Sequence, residues 1–142
     1  AGHALGMWHE QSRPEAEDYV TVSLQNIQDA YQGQFTQGNP NDAEDFGVPY
    51  DYGSVMHYEQ NQMALDSRRK TISTNDPRYQ ATIGQRDEPS FADVKAINAA
   101  YCSDTCAGPS LDCKNGGYQD PKKCDVCRCP TGLGGTLCDQ VL

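Results

Sequence analysis

No cysteine occurs before Cys102, so residues 1–101 contain no internal disulfide. Basic side chains are also scarce: Lys and Arg number 11 against 20 Asp and Glu, for a formal net charge of -9. That balance excludes a nucleic-acid partner, which requires a basic footprint. No apolar run approaches the roughly 20 residues of a membrane-spanning helix. Hydrophobic residues make up 37% of 142 residues, lean for a self-sufficient core, and mean hydropathy is -0.75. No leader is visible, and a chain that opens inside a motif would have lost one. What is abundant is turn chemistry, with 13 Gly and 8 Pro. Such a chain suits one ordinary domain, or a small domain plus a module.

All seven cysteines lie between Cys102 and Cys138. That density reads as a disulfide scaffold, and hence as secretion into an oxidising compartment. A thiolate zinc site at Cys124, Cys127 and Cys129 is the alternative, and the surrounding glycines suit it less well. Seven is odd, so one cysteine needs a partner outside the chain.

The composition shifts near Cys102–Cys106. Just before it, "SFADVKAINAAYC" predicts a helix, with Ser90 as N-cap and Asp93 completing an acidic capping box. Phe91, Val94, Ile97 and Tyr101 would form its apolar face, packed on the body of the first domain. "YVTVSLQNI" alternates loosely, leaving strand and helix both open through Tyr31. Gln32 to Asp45 reads as a surface loop, and "TISTNDPRYQATIGQ" as irregular chain turning at Asn75-Asp76-Pro77.

The chain opens "AGHALGMWHEQSRP", with His3, Gly6 and His9 spaced three and three. Zinc proteases of the His-Glu-x-x-His type project two histidines from one helix face, and an x-x-Gly-x-x-His extension brings a third. Glycine there can take a positive φ and turn the chain sharply. With His3 as the second histidine, the general-base Glu would immediately precede Ala1, and the first His would precede that Glu. A chain without both is expected to be proteolytically silent. A second element is "PYDYGSVMHY", whose Ser54-Val55-Met56-His57-Tyr58 resembles the Met-turn of metzincins.

"GHALGMWHEQSRP", "DFGVPYDYGSVMHY", "TIGQRDEPSFADVKAINAAYC" and the cysteines, in that order, resemble the astacin family of metzincin zinc endopeptidases followed by an EGF-like module, most of all in nematode forms. The resemblance spans nearly the whole chain and implies an α+β fold. Residues 1–102 would be the C-terminal portion of the peptidase domain, largely irregular with a C-terminal helix, and 103–142 an EGF-like module. It implies that His3 and His9 are ligands of one Zn2+ per catalytic domain. Tyr58 would be a further ligand at rest that swings to bond the oxyanion during catalysis. Met56 would support the site from below, a role compatible with core filling. His57 is not assigned to the metal. Glu10 would be linked to the mature enzyme's new N-terminus, or be an exposed carboxylate.

For the tail the resemblance implies the pairs Cys106–Cys124, Cys113–Cys127 and Cys129–Cys138, with Cys102 pairing outside the chain. A module of this size lacks an adequate core, so bridges at about 2–4 kcal/mol each would hold it. Asn115-Gly116-Gly117 and Gly134-Gly135 would give tight turns between short strands. The acidic pattern of calcium-binding EGF modules is not evident ahead of Cys106. The implied function is a secreted zinc endopeptidase acting on extracellular protein or peptide substrates of matrix type, with no membrane span and with further extracellular modules possible. The competing reading is an EGF-type binding module attached to a catalytically dead remnant. His-Glu immediately upstream of Ala1 would favour the enzyme.

Overall fold

The computed structural model describes residues 1–142, which divide into two compact units, Ala1–Asp93 and Val94–Leu142. The division falls inside the single α-helix, α1 (Phe91–Cys102). No helix is long and apolar enough to cross a membrane.

In the first unit, β1 (Val20–Val22) pairs antiparallel with β2 (Ile72–Thr74), Val20 opposite Thr74 and Val22 opposite Ile72. β-Branched residues at these positions suit a pleated, half-buried surface. The stretch left open by sequence therefore splits. Val20–Val22 is strand, and single-turn and longer 3₁₀ segments follow at Leu24–Asn26 and Asp29–Phe35. The core gathers Ala16, Val20, Ile27, Phe35, Tyr50, Tyr58, Ile72 and Ile83. Ile27 and Ile72 are fully buried, each contributing roughly 1.5–3 kcal/mol of hydrophobic stabilisation. Phe35 departs from the surface loop expected over Gln32–Asp45. It is the one apolar anchor in that polar run, and its ring packs edge-on against Tyr58 at 5.5 Å.

Ser90 and Asp93 form the capping box, Ser90 Oγ accepting from the Asp93 N–H and the Asp93 carboxylate accepting from the Ser90 N–H. The expected apolar face is not what the helix buries. Its buried residue is Asp93, whereas Val94 and Tyr101 are exposed. Within the second unit the helix bonds through polar groups instead. Lys95 Nζ donates to the Gly116 carbonyl, and Asn98 Nδ2 to the Tyr118 hydroxyl.

The rest of the second unit is two short hairpins, β3 (Tyr118–Asp120) with β4 (Lys123–Arg128) and β5 (Leu133–Gly134) with β6 (Gln140–Val141). Asp120 shapes the first by accepting from the Lys122 N–H and from Arg128 Nε. Asn115-Gly116 precedes β3 rather than joining two strands. Gly117 is required for close approach, since a Cβ there would lie 2.6 Å from Cys138 Sγ. Disulfides join Cys106–Cys124, Cys113–Cys127 and Cys129–Cys138, and Cys102 is a free thiol. Alkylation of the unreduced chain followed by peptide mapping should place label on Cys102 alone. Label on any of the other six would contradict this arrangement.

Candidate metal centre

Sequence-local geometry brings His3 and His9 together. His3–Leu5 is one 3₁₀ turn, and Gly6 closes it in the left-handed region at φ 90°, its N–H bonding to the His3 carbonyl. An L-residue is strained at that angle, so glycine is what lets the chain reverse here. The two imidazoles then meet edge-on with centroids 4.5 Å apart, and the Tyr58 ring lies 4.3 Å from His9.

The hydrogen bonds set the tautomers. His3 Nδ1 lies 3.0 Å from the Met7 carbonyl, and His9 Nδ1 lies 2.9 Å from the Met56 carbonyl. A carbonyl only accepts, so Nδ1 carries a proton in both rings, and in the neutral form of either ring Nε2 presents a lone pair. Burial, opposed by the Met56 carbonyl, lowers the His9 pKa, with the His3 and Arg86 charges adding to the decrease, which favours the neutral ring. These are the requirements of a metal-ligating histidine, including the bond that orients its far nitrogen. The pair fits zinc as part of a site, and no group of three His, Cys, Asp or Glu side chains is assembled within the chain.

Beneath lies the turn Ser54–Tyr58. Asp93 Oδ1 accepts from Ser54 Oγ at 2.5 Å and Oδ2 from the Val55 N–H at 2.9 Å, while Ser54 Oγ in turn accepts from the Met56 N–H. Arg86 donates to the Val55 carbonyl. The Met56 thioether sits under Gly2, where a Cβ would come within 2.5 Å of its sulfur. The Met56 carbonyl accepts from both His9 Nδ1 and the Glu10 N–H, joining the turn to the histidine segment.

Tyr58 is 6% exposed, and burial raises the pKa of its phenol. Its hydroxyl makes no hydrogen bond within the chain and is not among the buried unpartnered atoms, so it reaches solvent beside the histidines. His57 is fully buried with both ring nitrogens occupied, Nδ1 donating to the Tyr58 carbonyl and Nε2 accepting from the Tyr50 hydroxyl, and has no lone pair for a metal. Glu10 is buried, which excludes the exposed-carboxylate alternative. Its Oε1 accepts from the Asp51 N–H and from Arg13, yet desolvation prevails and its pKa is pushed up to about 7.

Three contributors are not assigned by the sequence. Asp93 stands there only as a helix cap, Arg86 is an unremarked part of "TIGQR", and Gln11 merely follows His9 and Glu10. Gln11 Oε1 accepts from the Tyr58 N–H at 3.0 Å.

Comparison with known proteins gives this geometry a family context. Residues 1–102 match the model of the peptidase family described as Astacin. The chain is 56% identical over 138 residues to zinc metalloproteinase nas-34 of Caenorhabditis elegans, covering 97% of this chain and 22% of that protein. It is 51% identical over 140 residues to zinc metalloproteinase dpy-31 of the same organism, covering 99% and 24%. A solved structure, the hatching-enzyme zinc-protease high choriolytic enzyme 1 of Oryzias latipes, aligns with TM-score 0.65 and 34% identity, over 70% of this chain and 48% of that one. The chain thus spans about a quarter or less of the curated relatives' length.

Removing the carboxylate beneath the turn should be costly. Asp93→Ala in the complete protein leaves the buried Ser54 hydroxyl and two N–H groups without their acceptor, for a loss of about 3 kcal/mol. Urea denaturation measures this, and a loss under about 1 kcal/mol would show that the turn does not lean on Asp93.

Proposed function

Since the chain belongs to the astacin family of peptidases, we propose that it forms the C-terminal portion of the catalytic domain of a secreted zinc-dependent endopeptidase. In this reading residues 1–102 complete the peptidase domain and 103–142 form an EGF-like module. The substrates are extracellular proteins or peptides of matrix type. Three disulfides in one short segment support an oxidising compartment. Cys102 pairs with a cysteine outside the chain.

The observation that carries the reading is the pair of imidazoles whose Nδ1–H groups are spent on backbone carbonyls, leaving both Nε2 lone pairs for a metal. His3 and His9 would hold one zinc per catalytic domain, joined at rest by Tyr58 and completed by residues upstream. Zinc, when bound, lowers the pKa of water to about 7 and polarises the scissile carbonyl. The Tyr58 hydroxyl, which has no hydrogen-bond partner within the chain, can donate to the oxyanion that develops on that carbonyl. Met56 packs beneath the site without ligating. Glu10, buried and paired with Arg13 through Oε1, would be linked to the N-terminal ammonium of the mature enzyme.

Tyr58→Phe in the complete enzyme removes one hydroxyl and keeps the ring. Steady-state assays should show kcat lower by about 10²–10³, or roughly 2.7–4 kcal/mol, with KM little changed. Zinc content should stay near that of the parent. A parental kcat would make Tyr58 only a core tyrosine, and loss of zinc would make it structural to the site.

A further inference from the structure

The backbone of Tyr58 is held on both sides by buried side chains rather than by a strand or helix. Its N–H donates to Gln11 Oε1 at 3.0 Å, and its carbonyl accepts from His57 Nδ1 at 2.7 Å. His57 is braced in turn, because its Nε2 accepts from the Tyr50 hydroxyl at 2.7 Å. Gln11 and His57 are 2% and 0% exposed, so water does not compete for these bonds. The ring of Tyr58 is wedged between His9 and Phe35.

Gln11 has an energetic oddity. Its Nε2 is the buried side-chain polar atom left without a partner. A buried amide donor left unpaired costs about 1–3 kcal/mol, which a methionine of similar volume would not incur. Packing therefore does not account for glutamine here. What the amide supplies and methionine cannot is an acceptor for the Tyr58 N–H.

We propose that Gln11, His57 and Tyr50 are positioning residues for Tyr58, gripping its peptide groups from both sides so that its hydroxyl is aimed at the reacting carbonyl. This rests on Tyr58 acting as described above. Gln11 lies two residues after His9, so one short segment carries a metal ligand and sets the aim of the phenol. A small rotation of the Tyr58 backbone is amplified along the ring into a larger displacement of the hydroxyl. Misplacement by about 1 Å at a reacting centre costs on the order of 10²-fold in rate.

The test is a double-mutant cycle in the complete zinc-loaded enzyme, joined to amide exchange in its zinc-free form. Gln11→Met should lower kcat by about tenfold to a hundredfold with KM and zinc content nearly unchanged. In the Tyr58→Phe background the same substitution should change kcat by less than about twofold, because the group it aims is gone. In ¹⁵N-tyrosine-labelled zinc-free protein, Gln11→Met should speed exchange of the Tyr58 amide by about tenfold or more. If Gln11→Met does not fold, Tyr50→Phe, which removes one hydroxyl, takes its place in the cycle. For that variant, zinc-free thermal stability is the companion measurement, and a destabilisation unaccompanied by coupling to Tyr58 marks a merely structural role. A Tyr58→Phe enzyme with parental kcat overturns the catalytic reading of Tyr58, and this inference with it. A slow Tyr58→Phe enzyme in which Gln11→Met or Tyr50→Phe costs its full factor again overturns this inference alone, as does unaltered exchange at the Tyr58 amide in Gln11→Met.

Discussion

The backbone carbonyl of Met56 receives two donors from one segment, the His9 Nδ1–H and the Glu10 N–H, and the arrangement of the site depends on that contact. It fixes the height and tilt of the His9 ring, selects its tautomer and docks the chain after it against the turn. Gly6 then dictates where His3 can be relative to His9. The carbonyl is itself held because Asp93 fixes the turn from below through Ser54 and Val55. Imidazole geometry is thus passed along backbone and buried carboxylate rather than along apolar packing.

Much of the unit's interior is polar, and it is stable to the degree that each polar group has a partner. Ser54, His57 and Asp93 meet this condition with two or more bonds apiece. Glu10 meets it incompletely, since two donors do not offset its desolvation. Gln11 leaves one N–H unpaired. Buried polar networks of this kind fix a unique geometry when satisfied and are costly where they are not. The two incompletely matched residues are consecutive and immediately follow His9 in the chain.

The local parts of this site were legible in the sequence because their geometry is local. Histidines flanking a glycine, a Ser-Val-Met-His-Tyr turn and a Ser-x-x-Asp cap are each set by a few consecutive residues. Gln11, Arg86 and the second role of Asp93 were not, because their partners lie 47, 31 and 38 residues away. No spacing rule reaches across such separations. Periodicity also misled at α1, where a three-and-four pattern pointed to an apolar face and the buried residue proved to be Asp93, captured by the turn. Composition misled at Phe35, since one aromatic in a polar run is enough to pull it into the core.

The central claim is that the backbone, through Nδ1, prepares His3 and His9 to bind metal through Nε2. A crystal structure of the complete zinc-loaded enzyme tests it most directly. The account predicts zinc at about 2.0–2.1 Å from Nε2 of both rings, with Nδ1 of each still bonded to the Met7 and Met56 carbonyls. Zinc bound through either Nδ1, or bound elsewhere with these carbonyl bonds intact, would contradict it.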